Sequence, residues 1–213
     1  MRRITIALGA LASGALALGG LALPFVASIA AAQQPQMVRV RGTIESVNGQ
    51  VLTVKARDGT PLTVKLADGA PVRTVIRKSL ADVTQGSFVG ITAMPQPDGT
   101  QKAVEIHIFP EALRGTGEGH RPWDLMPHST MTNANVDSVV AASDGKELVL
   151  KYKNGEKKFV VPADVEVVMF APAHMSDLKP GAKIFIVAAK KMPDGTLAAP
   201  AVVVGTNGVD PPM

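Results

Sequence analysis

Ser79–Thr100 reads SLADVTQGSFVGITAMPQPDGT, and His174–Thr196 reads HMSDLKPGAKIFIVAAKKMPDGT. Asp82 aligns with Asp177, Gly86 with Gly181, and Asp98-Gly99 with Asp194-Gly195, at a separation of 95 residues that becomes 96 after one insertion. Leu52–Thr60 (LTVKARDGT) matches Leu148–Glu156 (LVLKYKNGE), and Gly42–Gln50 matches Asn135–Lys146 more loosely. The chain therefore holds two copies of one unit, at 38–109 and 134–205. A connector at 110–133 separates them, and a tail at 206–213 follows.

Each copy is punctuated by hairpin signals. Asn48-Gly49, Asp58-Gly59 and Asp98-Gly99 in the first copy have counterparts in Asp144-Gly145, Asn154-Gly155 and Asp194-Gly195. Such pairs supply the backbone that a tight turn between antiparallel strands needs. The spacing predicts strands at 39–47, 51–57, 61–67, 86–94 and 101–109, and again at 135–142, 147–153, 157–162, 182–190 and 196–204. Between the third and fourth strands of each copy runs a longer crossing segment. It ends in a single helical turn, at Ser79-Leu80-Ala81-Asp82 and Ser176-Asp177-Leu178, with the serine as the expected N-cap. Five short strands with a helical turn between the third and fourth predict an OB-like barrel. The expected fold is all-β: two tandem small OB-like five-stranded barrels, one per copy, after an N-terminal signal peptide.

The repeated DG/NG hairpins, SLADVTQGSFVGI and PDGT resemble a family of exported OB-like domains of unknown function, numbered 5666. The connector GTGEGHRPWDL is similar to a recurring segment of two-repeat proteobacterial members. The resemblance covers nearly all of the chain after residue 32. It implies an OB-like fold and an exported location, with no established activity and no site residues. Relatives are sometimes labelled metal-transporter permeases, a label at odds with a chain offering no series of membrane spans.

The export expectation has its own residues. Arg2-Arg3 precede an uncharged run that ends at Ala30-Ala31-Ala32, a small-residue cleavage site before Gln33. Pro24 and the many Ala and Gly residues favour a cleaved signal at 1–32 over a retained anchor. The expected location is a bacterial periplasm. Cleavage would remove two arginines and no acids, lowering the formal charge from +4 to +2. That leaves little basis for a polyanionic partner. Aromatics make up only 4% of the chain, too few for the stacking platforms of a nucleic-acid-binding OB fold. The absence of cysteine excludes disulfides, thiol catalysis and Cys-ligated metal.

The connector carries the distinctive chemistry, RGTGEGHRPWDLMPHSTM from Arg114 to Met131. Gly115, Gly117 and Gly119 do not open a phosphate loop, because Pro122 and Pro127 leave no room for the helix that loop requires. They read instead as backbone needing unusual φ values. His120, Arg121, Trp123 and Asp124 are the expected ligand-binding or interbarrel clasp residues, with Trp123 plugging the seam. In that reading Trp123 N–H finds one partner, and Arg121 or His120 pairs with Glu118 or Asp124. His107, within VEIHIF, shares a strand face with Glu105 and Phe109, opposite Val104, Ile106 and Ile108. Its counterpart in the second copy is Val203, so it reads as a half-exposed strand histidine.

The expected function is a non-enzymatic periplasmic binding or envelope-associated module. It would act without a cofactor on a protein, a glycan or a small polar ligand. The alternative is a copper- or zinc-binding protein using His107, His120, His128, Met126 and Met131, the ligand types such sites employ. A third reading, a hydrolase, would draw on Ser129, His128 and Asp124 or on Glu111 and Glu118. No GxSxG elbow supports it.

Overall fold

The computed structural model describes residues 36–143 and 145–212. The expected signal segment at 1–32 lies outside the described residues, as does Asp144 of one expected turn. Among the described residues the fold is all-β, and the helical elements are three short 3-10 turns. The first copy forms Met37–Asn48 (β1), Val51–Ala56 (β2), Pro61–Leu66 (β3), Val72–Lys78 (β4), Phe88–Pro95 (β5) and Gln101–Ile108 (β6). Gly119–Pro122 (β7) lies in the connector. The second copy forms Thr130–Ala142 (β8), Gly145–Tyr152 (β9), Gly155–Pro162 (β10), Glu166–Pro172 (β11), Lys183–Lys191 (β12), Leu197–Ala199 (β13) and Val202–Val204 (β14).

Local chemistry accounts for the hairpins. Asp58, Asp98 and Asp194 each accept a hydrogen bond from the backbone N–H of the threonine two residues on, at 2.9, 3.0 and 2.9 Å. The glycine between them takes φ near +85° in every case. These bonds hold the three carboxyls below the usual aspartate range. The helical turns are closed by Asp82 and Asp177. The Ser79 and His174 backbone N–H groups donate to these carboxylates at 2.8 Å. In the second copy the capping position is thus His174, not Ser176, which lies inside the turn Met175–Asp177.

The pairings close two five-stranded rings, and the membership of each corrects the tandem expectation. One ring runs β1–β2–β3–β13–β12 and back to β1, with β3 and β13 parallel. The other runs β8–β9–β10–β6–β5 and back to β8, with β10 and β6 parallel. The strand count and the OB-like order hold. However, each ring takes three strands from one copy and two from the other. The boundaries 38–109 and 134–205 therefore mark sequence repeats and not separately closed barrels. The hydrophobic alternation is the same in both copies, so it cannot say which copy's fourth and fifth strands complete a given ring.

The crossing segments were expected to lack strands, but they hold β4 and β11. These pair antiparallel with each other and parallel with β14 and β6. Their partners are remote in sequence: Asp68-Gly69 turns the chain between β3 and β4, yet β4 pairs with β11 and β14. Val75 pairs directly with Phe170, which is its own equivalent at the repeat spacing of 95. The pseudo-twofold relating the two copies passes through this pair.

Three cores result. Val40, Ile44, Leu52, Val54, Val64 and Leu66 fill the first ring together with Ile184, Ile186 and Leu197 from the other copy. Ile91, Ile106, Leu148, Leu150 and Phe159 fill the second. Each such side chain contributes roughly 1.5–3 kcal/mol on burial. The third core lies outside both rings. It gathers Val75, Phe88, Phe109, Trp123, Met131, Val168, Phe170, Phe185 and Val203.

Candidate functional site

The third core is not filled. A cavity of about 410 Å³ opens within it, lined by aromatic residues Phe109, Trp123, Phe170 and Phe185. Arg73, His107, Arg121 and Asn133 bring polar groups to the same wall. His107 is 3% exposed and Glu105 2%, so the half-exposed reading of this strand is corrected. Glu105, His107 and Phe109 do share a face, but the aromatic core covers it. His107 lies edge-on to Phe109 and Phe170, with ring centroids 4.7 and 5.4 Å away. The opposite face is corrected too. Thr92 pairs with Glu105 while Ala93 pairs with Ala103, leaving Val104 as the extra residue of a bulge. Ala103, not Val104, therefore joins Ile106 and Ile108 inside the ring.

Behind the cavity wall runs a buried polar chain. Thr92 Oγ1 donates to Glu105 Oε2 at 2.7 Å, and His107 Nδ1 lies 2.8 Å from Glu105 Oε1. A carboxylate oxygen only accepts, so toward a Glu105 carboxylate His107 Nδ1 is the donor. Asn133, on the other side of β5, donates from Nδ2 to Thr116 O at 2.9 Å. Its Oδ1 is buried and has no protein partner. Trp123 Nε1 is likewise buried and unpartnered, contrary to the expectation that it would find one. A buried polar atom left without a hydrogen bond costs about 1–3 kcal/mol. Two such atoms, one donor and one acceptor, belong to residues of a single cavity wall.

The connector is pinned on both sides. Trp123 packs edge-on to Phe185 at 6.2 Å, and the Arg39 guanidinium lies 4.0 Å from its ring centroid. Asp124 pairs with Arg41 at 2.9 Å and Arg39 at 3.7 Å, not with Arg121 or His120. These contacts reach β1 and β12 of the first ring. Toward the second ring, β7 pairs with β8, which begins at Thr130 within the expected connector. The glycines behave as read from sequence: Gly115, Gly117 and Gly119 have φ of 82°, 58° and 125°. Arg121 donates to Gly117 O at 2.7 Å. Burial pulls the Arg121 guanidinium below its ordinary value, with Arg39 adding to the effect. Glu118 accepts from the Lys153 backbone at 2.9 Å.

The sequence-predicted site residues thus separate into groups. Trp123, Arg121, His107 and Met131 line the cavity. Asp124 acts on the clasp behind it. Met126 and His128 sit exposed on the turn that Ser129 closes, its Oγ donating to Met126 O at 2.8 Å. His120 Nδ1 meets Thr132 Oγ1 at 2.7 Å. Among the described residues no three His, Asp or Glu side chains converge as a metal shell would require. Sequence reasoning missed Thr92, Glu105 and Asn133, along with Arg39, Arg41, Arg73 and Phe170. Only Glu105 had a visible signal, its place two residues before His107 on the same strand face.

His120 carries a pH prediction. Burial pulls its imidazole below the ordinary value, with Lys157 and Arg121 adding. The folded chain therefore resists a proton that the unfolded chain accepts near pH 6.5. The stability from this group is complete above that pH and lost as the pH falls below it. The urea midpoint is expected to decline between about pH 8 and pH 5, and less steeply in His120→Gln. Equal slopes would refute this.

No protein-family model, curated protein or solved structure matches the chain.

Proposed function

We propose that this protein is a non-enzymatic binding module whose site is the cavity between the two rings, and that its ligand is a small, largely apolar molecule with a polar group. The observation that carries this reading is the cavity itself, about 410 Å³, walled by Phe109, Trp123, Phe170 and Phe185 with Arg73, His107, Arg121 and Asn133 among its lining residues. The cavity volume falls in the range of about 300–1,000 Å³ typical of small-molecule sites. Aromatic walls with a few convergent polar groups are the usual composition of such sites. A large protein or glycan surface is a poorer match to a recessed cavity of this size.

Trp123 is the only tryptophan in the chain, so its fluorescence reports on this cavity alone. Titration with 1-anilinonaphthalene-8-sulfonate is expected to quench it saturably. Ala201 lines the same wall, and Ala201→Phe should fill the space and weaken the dye at least about tenfold, since a bound body and the new ring cannot share it. Non-saturable quenching, or unchanged affinity in the variant, would overturn the proposal. The same proposal places the mature chain in the periplasm, on the strength of Arg2-Arg3, the uncharged run and the Ala30–Ala32 site. N-terminal sequencing of the exported protein should begin at Gln33.

A further inference from the structure

We infer that the cavity takes a carboxylate on a small apolar body, with Arg73 and Arg121 holding the carboxylate and the aromatic walls holding the body. The inference rests on the cavity being a ligand site and names the ligand class.

The charge on the cavity wall is of one sign. Among the described residues two arginines line it, and no aspartate or glutamate does. Arg73 stands on β4 two residues before Val75, so both occupy the strand face that joins the third core. Its neighbour on β14 is Val203, another member of that core. Arg121 stands on β7. Its guanidinium carbon lies 5.4 Å from the Trp123 ring centroid, and its Nη1 donates to Gly117 O. Gly117 and Trp123 both line the cavity. The charged end of Arg121, and not only its stem, is therefore at the wall.

These guanidinium groups are short of acceptors. Three of them surround the Trp123 ring, from Arg39, Arg41 and Arg121. The Asp124 carboxylate serves Arg39 and Arg41. Burial lowers the proton affinity of Arg41 and of Arg121 alike. At Arg41 the Asp124 carboxylate opposes that effect, whereas at Arg121 the Arg39 cation adds to it. Among the described residues Arg121 donates to one acceptor, Gly117 O, and half-buried Arg73 has no hydrogen-bond or ion-pair partner. The Glu105 carboxyl is engaged by Thr92 and His107 and does not line the cavity.

A ligand that completes this wall brings negative charge. A cation would be repelled by both arginines. A neutral body would fill the apolar space and leave the two guanidinium forks without a charged acceptor. A carboxylate matches the planar fork, which donates two parallel N–H bonds to its two oxygens. It would do for Arg121 what Asp124 does for Arg41. The apolar remainder then meets Phe109, Phe170 and Phe185, in a volume suited to a small free acid.

The test is calorimetric titration of the chain from Gln33 onward, which contains every described residue. The probes are 4-propylbenzoate and 4-propylbenzamide, a neutral body of nearly the same shape. At neutral pH the benzoate is expected to bind about tenfold tighter or more, the advantage of charge-assisted hydrogen bonds over neutral ones. In Arg73→Gln and in Arg121→Gln that preference should fall at least about threefold, with the benzamide affinity showing that the cavity has kept its shape. In the unaltered protein the side-chain ¹⁵Nε resonances of both arginines should move further with the benzoate than with the benzamide, a readout that does not depend on a variant folding. Equal affinities of the unaltered protein for the two probes would overturn the carboxylate site while leaving the cavity as a ligand site. An undiminished preference in a folded variant, or an Nε resonance that responds alike to both probes, would overturn the role given to that arginine. Failure of both probes to bind would overturn the carboxylate site and the cavity together.

Discussion

A chain cut between Gly115 and Thr116 is expected to yield no folded monomer from either half, and to regain its fold when the halves are mixed. The reason lies in ring membership. The first half supplies β1, β2 and β3, whose core side chains Val40, Ile44, Leu52, Val54, Val64 and Leu66 are closed over by Ile184, Ile186 and Leu197 of the second. The second half supplies β8, β9 and β10, closed by Val89, Ile91 and Ile106 of the first. Each missing lid leaves several apolar side chains in water, at roughly 1.5–3 kcal/mol apiece. That sum is comparable to the whole net stability of an ordinary domain, about 5–15 kcal/mol. Circular-dichroism melts of each half at low concentration should show no cooperative transition, and an equimolar mixture should restore it. Two copies of one half can imitate the missing partner, so sedimentation must accompany the melts and the monomer is the species to score. A folded monomeric half would mean that each repeat closes its own barrel.

Gly90→Ala is expected to destabilise the protein by about 2–3 kcal/mol, the cost of forcing extra volume into a packed site. Ordinarily one methyl group on a strand is harmless. Here the added carbon would collide with the His107 imidazole and press on Asn133 Oδ1. Strand pairing on both sides of β5 prevents the backbone from moving away. The measurement is the urea midpoint at constant slope, repeated in His107→Ala and in the double variant. Relief of the collision predicts a coupling of at least about 1 kcal/mol, as expected for residues in direct contact. Strictly additive effects would show that the glycine does not make room for the histidine.

Much of the architecture was legible in the residues. Asp58-Gly59-Thr60, Asp98-Gly99-Thr100 and Asp194-Gly195-Thr196 mark turns whose hydrogen bonds are entirely local. Turn chemistry of that kind is readable without tertiary context. The repeat spacing announced two equivalent sets of strands, and alternation marked the apolar faces that fill both rings. The connector's glycines were recognisable from the prolines that exclude a helix after them.

The site was less legible, for a related reason. Alternation placed Glu105 and His107 together on the outer face of β6, and an outer face with charged or polar side chains ordinarily meets water. That this face is covered depends on Phe170 and Phe185, which arrive from the other copy, and on Trp123 from the connector. No local pattern in β6 reports those neighbours. Asn133 and Thr92 are ordinary polar residues in sequence. Their importance comes from standing across from Gly90 and Glu105 in the folded sheet.

What the sequence by itself determined is the vocabulary: strands, tight turns, a twofold repeat and rings of five. Which strands share a ring, and hence the seam with its cavity, was decided only by tertiary structure. The physical reason is that turns and alternation act between neighbours in the chain. By contrast, the parallel pairings of β3 with β13 and β10 with β6, and the β4–β11 pair on the pseudo-twofold, join residues far apart. Two copies with the same pattern satisfy those long-range contacts equally well in sequence terms. The arrangement the chain adopts is the one that brings Phe88, Phe109, Trp123, Phe170 and Phe185 together between the rings.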